Sequence, residues 1–128
     1  MIEVYTDGAS SGNPGKSGAG VYMKANGNIY EYAIPLGVRS NHEAEFQAVI
    51  EALKICQEHF PDEILSFRSD SRIVVDTVEK DFTKNKTFLP LLEEIKKESN
   101  SFPYFFIKWI SESHNKHADE LARKAIRI

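Results

Sequence analysis

The chain has 128 residues, 41% of them hydrophobic and 27% charged, with 16 basic and 19 acidic side chains and a formal net charge of −3. These values are ordinary for a soluble globular protein and predict one domain over residues 1–128. No apolar run approaches the roughly 18 residues that a membrane span needs, so no membrane association is expected. The acidic balance argues against a general nucleic-acid binder, although two bound divalent cations would reverse its sign.

The cysteine content and the N-terminal residues bear on the cellular compartment of the protein. The one cysteine, Cys56, cannot form an internal disulfide. The first residues enter a strand pattern directly, without the basic and apolar regions of a signal peptide. We therefore expect a cytoplasmic protein. We also expect a monomer.

Three strands forming an antiparallel meander are predicted in the first third of the chain. The predicted strands cover Met1–Thr6, Gly20–Lys24 and Asn28–Ile34. The first of them ends at Asp7. Residues Gly8–Gly20 are rich in Gly, Ser, Asn and Pro, which predicts a turn. Asn26-Gly27 predicts a hairpin between the second and third strands.

Helices and strands alternate in the rest of the chain. Ser40 and Glu43 have the spacing of a capping box, and Pro61 follows the predicted end of that helix. The other predicted elements are a strand over Glu63–Ser69 that ends at Asp70, helices over about 72–79, 88–98 and 116–127, and a strand over Tyr104–Ile110. The last strand is almost wholly apolar, which predicts that both of its faces are buried. Trp109 lies in this strand and is therefore expected to pack in the core. Cys56 is expected in the core.

The element order βββαβααβα predicts an α/β fold in which crossover connections add parallel strands to the meander. Asp7 and Asp70 would then lie close together on neighbouring strands. Glu45 and Asp119 could reach the same place from two helices.

These four carboxylates occupy positions where burial is expected. Glu45 lies on the apolar stripe of the first helix, and Asp119 lies beside Ala118 and Leu121. A buried carboxylate is costly unless a cation compensates it, and no Lys or Arg is adjacent to all four. The four positions therefore predict a pair of divalent metal ions.

Each carboxylate also has a structural explanation. Asp7-Gly8 suits a turn, Asp70-Ser71 a helix cap, and Asp119 the dipole of the last helix. Glu45 is the hardest to explain in this way, because its stripe is otherwise apolar.

Four segments in this order resemble ribonuclease H type 1. They are Thr6–Gly18, Asn41-His-Glu-Ala-Glu45, Ser69-Asp-Ser71 and Asn115–Ala122. The resemblance extends from Tyr5 to about Ala125 and is closest to the short bacterial RNase HI-like subgroup that lacks a basic protrusion. It implies a ribonuclease H-like fold: a five-stranded mixed sheet, three strands antiparallel and two parallel, flanked by helices.

The resemblance also implies an activity. Asp7, Glu45, Asp70 and Asp119 match the family's catalytic carboxylates, which bind two Mg²⁺ or Mn²⁺ ions. The family hydrolyses the RNA strand of RNA–DNA hybrids and leaves 5′-phosphate and 3′-hydroxyl ends. Hard cations prefer oxygen ligands, which suits such a site.

Four further residues are candidates for the site. His114 lies in the loop before the last helix, where many members carry a histidine that assists proton transfer or product release; a solvent-exposed loop histidine is the alternative. Asn13, Ser40 and Asn41 could contact 2′-hydroxyl groups of RNA, or serve only as turn and cap residues. The other three histidines are expected at the surface or as caps.

One departure from the family keeps other functions open. Residues 74–101 mix Lys with Glu and Asp and carry no Trp, so the basic protrusion that grips DNA in longer members is expected to be absent. A hybrid-binding or RNA-binding protein with weak or no turnover is therefore an alternative. A related polynucleotidyl transferase is another.

Overall fold

A five-stranded mixed sheet organises the protein, and the computed structural model describes residues 1–128. The strands are β1 (Ile2–Ser10), β2 (Gly15–Ala25), β3 (Asn28–Arg39), β4 (Leu65–Ser69) and β5 (Phe105–Trp109), and the helices are α1 (Asn41–His59), α2 (Arg72–Lys80), α3 (Leu89–Ser99) and α4 (Lys116–Ile126). The spatial order is β3-β2-β1-β4-β5; β2 pairs antiparallel with β1 and β3, and β4 pairs parallel with β1 and β5. The predicted fold class is confirmed.

The hairpin between β2 and β3 forms where the sequence predicts it. Asn26 and Gly27 have positive φ angles of 52° and 80°, and Ala25 pairs with Asn28. Two successive residues with positive φ match the twist of the flanking strands, which is why Asn-Gly is favoured here.

Strand β1 is longer than predicted, so the placement of Asp7 at its end is wrong. The strand continues to Ser10, because Gly8, Ala9 and Ser10 pair with Ala19, Gly18 and Ser17 of β2. The predicted turn over 8–20 shrinks to residues 11–14. Pairing with a neighbouring strand overrides the weak strand preference of Gly and Ser.

The prediction that the last strand is buried on both faces is also wrong. β5 is an edge strand in which only Ile107 is buried, while Phe106 is 55% and Trp109 40% exposed. Apolar content alone does not separate a central strand from an edge strand, which lacks a neighbour on one side.

The helix starts follow their predicted caps. The Ser40 hydroxyl accepts the N–H of Glu43 at 3.2 Å, and the Glu43 carboxylate accepts the N–H of Ser40 at 2.9 Å. These bonds lower the pKa of Glu43. Ser71 caps α2 in the same way by accepting the N–H of Val74. The capping box and the start of α2 are therefore confirmed.

Close packing of α1 and α4 on opposite faces of the sheet depends on glycines. A Cβ at Gly20 would lie 2.0 Å from the Ala118 carbonyl oxygen of α4, and one at Gly8 would lie 2.3 Å from the Ala44 carbonyl oxygen of α1. Both helices therefore approach the sheet backbone more closely than any side chain would permit. This approach brings their first turns over β1.

A core cluster of 19 buried residues lies mainly between the sheet and helices α1 to α3. Cys56 belongs to it and is fully buried, as predicted. Only α2 and α3 lie between β4 and β5, so no additional basic helix projects there. No helix of the protein combines the length and the apolar character that crossing a membrane would require.

Candidate active site

The four predicted carboxylates line one cavity of about 400 Å³ beside the carboxyl end of β4 and the adjacent part of β1. None of its ten lining residues is hydrophobic. The lining consists of Asp7, Gly8, Asn13, Asn41, His42, Glu45, Asp70, Glu112, Asp119 and Arg123. The fold therefore brings Asp7, Glu45, Asp70 and Asp119 together from four separate elements.

Strand register places the two aspartates of the sheet. Thr6 of β1 pairs with Ser69 of β4, so Asp7 and Asp70 follow a matched pair on adjacent parallel strands. Asp70 comes directly after the last residue of β4, as predicted. The pairing of β4 with β1 stops here while β1 continues to Ser10, so the site lies at the carboxyl end of β4 and beside β1.

Helix α1 supplies Glu45 from its first turns. The absence of a side chain at Gly8 lets the backbone of Ala44 and Glu45 lie against β1. The Glu45 side chain is 18% exposed, and the Nδ1 atom of His42 lies 3.3 Å from its Oε1 atom.

Asp119 lies in the first turn of α4, as predicted. Its side chain is 37% exposed, and the Arg123 guanidinium contacts its carboxylate at 3.2 Å from one turn further along the helix. An i,i+4 pair of this kind is weak when exposed, so it orients the carboxylate more than it stabilises the fold.

Asn115 connects α4 to the sheet under the cavity. It is 1% exposed, and its Nδ2 donates a hydrogen bond of 2.9 Å to the carbonyl oxygen of Thr6. Its proximity also lowers the pKa of the Asp70 carboxyl, against the larger effects that raise it. The position of Asn115 just before an amphipathic helix predicts a cap, but its side chain makes no cap hydrogen bond and bonds to β1 instead, which the sequence does not indicate.

The electrostatics of the cavity disfavour negative charge on its inner carboxylates. Burial raises the pKa of Asp7 to about 9, and the neighbouring Asp70, Asp119 and Glu45 act in the same direction. Burial, Glu45 and Glu112 raise the pKa of Asp70. Apart from Arg123, no Lys or Arg lines the cavity. The protein therefore leaves this negative charge largely uncompensated.

The donor set fits Mg²⁺ or Mn²⁺. All four side chains offer carboxylate oxygens, which hard divalent cations prefer. No three His, Cys, Asp or Glu side chains form a preassembled metal cluster. Mg²⁺ does not need one, because it usually keeps several waters and takes one or two carboxylates together with substrate phosphate oxygens.

The raised pKa of Asp7 has a consequence for the stability of the metal-free protein. The folded protein holds this proton up to about pH 9, whereas the unfolded chain releases it near the ordinary value of 3.8. Because the unfolded state binds fewer protons between these values, stability falls as pH rises through that window. We expect a loss of at least about 1.4 kcal/mol between about pH 6 and about pH 9, the equivalent of one pKa unit.

Urea unfolding in a chelating buffer at several pH values measures this loss. The Asp7→Asn variant is the matched control, because its amide does not titrate and its decline should be smaller. Stability that stays level or rises over this range in the unsubstituted protein would contradict the expectation.

The other predicted site residues separate into two groups. Asn13 and Asn41 line the cavity, and Asn13 Oδ1 accepts the backbone N–H of Asn41 at 3.0 Å. Ser40 does not line it, and its hydroxyl oxygen caps α1. His114 lines a different cavity with Tyr5, Tyr22 and Lys24, and its Nδ1 lies 2.9 Å from the Ser111 hydroxyl.

His42, Glu112 and Arg123 line the cavity although sequence reasoning assigned them no role there. His42 lies one helical turn before Glu45, and Arg123 lies one turn after Asp119, so helical spacing from the two carboxylates could have identified both. Glu112 gave no such indication, because it lies in a 3₁₀ turn between β5 and α4.

A family model and several known proteins match almost the whole chain. Residues 5–125 match the family model described as reverse transcriptase-like. The chain is 44% identical over 129 residues to EbsB of Enterococcus faecalis, which is named as a hydrolase without a stated substrate; the match covers 99% of this chain and 95% of that protein. It is 33% identical to the ribonuclease HI of Brucella melitensis, over 95% of this chain and 87% of the relative.

Solved structures agree over almost the whole chain. The RNase H1 of the archaeon Halobacterium salinarum superposes with a TM-score of 0.90 at 28% identity, covering 98% of this chain and 97% of that one. LC11-RNase H1, solved in complex with an RNA/DNA hybrid, superposes with a TM-score of 0.91 at 30% identity, covering 99% and 97%.

Proposed function

The chain belongs to the RNase HI-like family of nucleases, and from that membership we propose that it is a metal-dependent endoribonuclease that hydrolyses the RNA strand of RNA–DNA hybrids. The expected products carry 5′-phosphate and 3′-hydroxyl ends. The observation that carries the proposal is the cavity, lined by no hydrophobic residue, in which Asp7, Glu45, Asp70 and Asp119 meet. The hybrid complex of LC11-RNase H1 supports the choice of substrate.

The four carboxylates would hold two Mg²⁺ or Mn²⁺ ions. Such ions, when bound, activate water and stabilise the leaving oxygen of a phosphodiester. The chain's own contribution is to fix the ligands in place. Register between β1 and β4 sets Asp7 beside Asp70, Asn115 ties α4 to the Thr6 carbonyl of β1, and Arg123 contacts Asp119.

We propose that Asn13 and Asn41, which both line the cavity, contact the substrate. Asn13 uses its Oδ1 to accept the backbone N–H of Asn41, while its Nδ2 and the side-chain amide of Asn41 have no hydrogen-bond partner in the protein. Amide groups suit 2′-hydroxyls, which can both donate and accept. We propose that this pair distinguishes RNA from DNA.

A cleavage assay tests the proposal directly. A hybrid labelled on its RNA strand, incubated with Mg²⁺ or with Mn²⁺, should be cut internally, and phosphatase and kinase treatment should reveal 5′-phosphate ends. Duplex DNA, duplex RNA and single-stranded RNA should remain intact. Absence of cleavage with either metal, while circular dichroism shows a folded protein, would count against the proposal. Cleavage of duplex DNA would favour a related polynucleotidyl transferase.

A second candidate is a hybrid-binding protein with weak or no turnover. The position of His114 favours it, because that side chain lines another cavity and so lies outside the ten residues that surround the carboxylates. The absence of a basic helix between β4 and β5 favours it as well. Hybrid binding that is tight in a gel-shift assay but leads to no product, with either metal, distinguishes this candidate from the first.

We propose the reducing cytoplasm as the place of action and a monomer as the active form. Cys56 is a free thiol buried in the core, where it would have no disulfide partner. Sedimentation of the purified protein measures the oligomeric state.

A further inference from the structure

A groove leads from the carboxylate cavity along the start of α2. It shares His42, Glu45, Asp70 and Glu112 with that cavity and has a volume of about 700 Å³. Arg72 and Trp109 line its far part. This groove offers a path out of the cavity to a nucleic-acid strand whose scissile phosphate lies at the carboxylates.

Arg72 and Trp109 form a stacked pair in this groove. The guanidinium carbon of Arg72 lies 3.9 Å from the centre of the Trp109 ring. The indole N–H of Trp109 donates a hydrogen bond of 3.1 Å to the backbone carbonyl oxygen of Asp70. The ring is therefore fixed to the backbone of a site carboxylate, and the guanidinium lies over its face.

The charge of Arg72 has no partner in the protein. Arg123 is paired with Asp119, and His42 with Glu45, but no carboxylate lies within salt-bridge distance of Arg72. A cation that stacks on an indole keeps the in-plane N–H groups at its edge free. A planar guanidinium with free edge donors matches the oxygens of a phosphate group.

We propose that the Arg72–Trp109 pair is a phosphate clamp for the strand that is being cut, binding a backbone phosphate next to the scissile one. The inference rests on the proposed function and extends it with a contact that does not need a basic helix. Arg72 makes the contact, and Trp109 is a positioning residue. Trp109 is predicted to pack in a buried strand, but it is 40% exposed, which leaves its ring accessible to Arg72.

Hybrid binding by the Asp7→Asn protein tests the clamp without cleavage. Adding Arg72→Ala should weaken binding by about tenfold, the usual loss for one charge-assisted hydrogen-bonding group. It should also reduce the slope of log affinity against log salt by about 1, because one fewer counterion is released. Arg72→Lys, which keeps the charge but not the planar fork, should recover the slope and only part of the affinity.

Arg127→Ala is the matched control, since it removes the same charge from the exposed end of α4. It should leave affinity and slope nearly unchanged. Trp109→Phe should weaken binding by about threefold, since the weaker cation–π partner lacks the N–H that fixes the ring. The same change should have no further effect in the Arg72→Ala background, because Trp109 acts through Arg72.

Two further measurements make the test specific. Trp109 is the single tryptophan of the chain, so its fluorescence reports on the clamp, and hybrid should change it only while Arg72 is present. Single phosphates of each strand can also be replaced in turn by a neutral methylphosphonate. The replacement should weaken binding when it lies near the cleavage site in the cut strand. That effect should disappear with Arg72→Ala.

The outcomes separate the two proposals. If the unsubstituted protein binds and cuts the hybrid, but Arg72→Ala and Arg127→Ala show equal affinity and equal salt slope, the clamp alone is overturned. Failure of the unsubstituted protein to bind or cut hybrid with either metal overturns the proposed function, and the clamp with it. Sensitivity to methylphosphonates only in the complementary strand also overturns the clamp as stated.

Discussion

Asp7→Asn is expected to lower the rate of hybrid cleavage by about a thousandfold or more, because a metal site contributes several kcal/mol of transition-state stabilisation. Asp7 is the carboxylate that interacts with all three others, as the causes of its raised pKa show. An amide in its place keeps the shape and hydrogen-bonding capacity but removes the negative ligand. Single-turnover cleavage of a labelled hybrid measures the effect.

Asp76→Asn is the control for this substitution. Asp76 lies on the exposed face of α2 and forms no ion pair, so its loss changes net charge equally without touching the cavity. Its rate should stay close to that of the unsubstituted protein. Equal rates for Asp7→Asn and the unsubstituted protein would remove Asp7 from the proposed mechanism.

Gly8→Ala is expected to destabilise the protein by about 2–3 kcal/mol, the cost of overpacking at a site that cannot relax easily. The new methyl group would lie 2.3 Å from the carbonyl carbon and oxygen of Ala44 and 2.5 Å from the nitrogen of Glu45. All three are backbone atoms, so α1 itself has to move. Chemical unfolding at fixed pH measures the loss.

The same substitution should also reduce hybrid cleavage by about a hundredfold in the fraction that remains folded. A displacement of about 1 Å at a catalytic group can have an effect of this size, and Glu45 moves with the helix. Gly37→Ala is the control, since φ is +74° there but nothing lies within 4 Å of the added Cβ. It should cost only about 1 kcal/mol and leave the rate unchanged. Equal losses of stability at both glycines would contradict the steric explanation.

Features that depend on a few neighbouring residues could be predicted from the sequence. The capping box of Ser40 and Glu43 fixes the start of α1, and the hairpin at Asn26-Gly27 fixes the register of β2 and β3. The end of β4 just before Asp70 also follows from local pattern. Each depends on hydrogen bonds or φ angles within about five residues, which is why local composition is sufficient.

Features that depend on distant neighbours could not be predicted in the same way. The extension of β1 past Asp7 requires the β2 strand beside it, and the exposure of Trp109 follows from the edge position of β5. The resemblance suggests a site role for His114, with an exposed loop histidine as the alternative, and the 3₁₀ turn places the residue at another cavity. The position of a residue in a loop sequence does not determine the direction in which its side chain points.

The sequence by itself determined the order of elements, the identity of the four carboxylates and the resemblance that links them to hydrolysis of hybrids. It could do so because these depend on residue type and on local hydrogen bonding. Only the tertiary structure decided that α1 and α4 lie close enough to the sheet, at Gly8 and Gly20, to bring Glu45 and Asp119 to Asp7. It alone also placed an unpaired Arg72 on the Trp109 ring, since two side chains from α2 and β5 meet only after the sheet has formed.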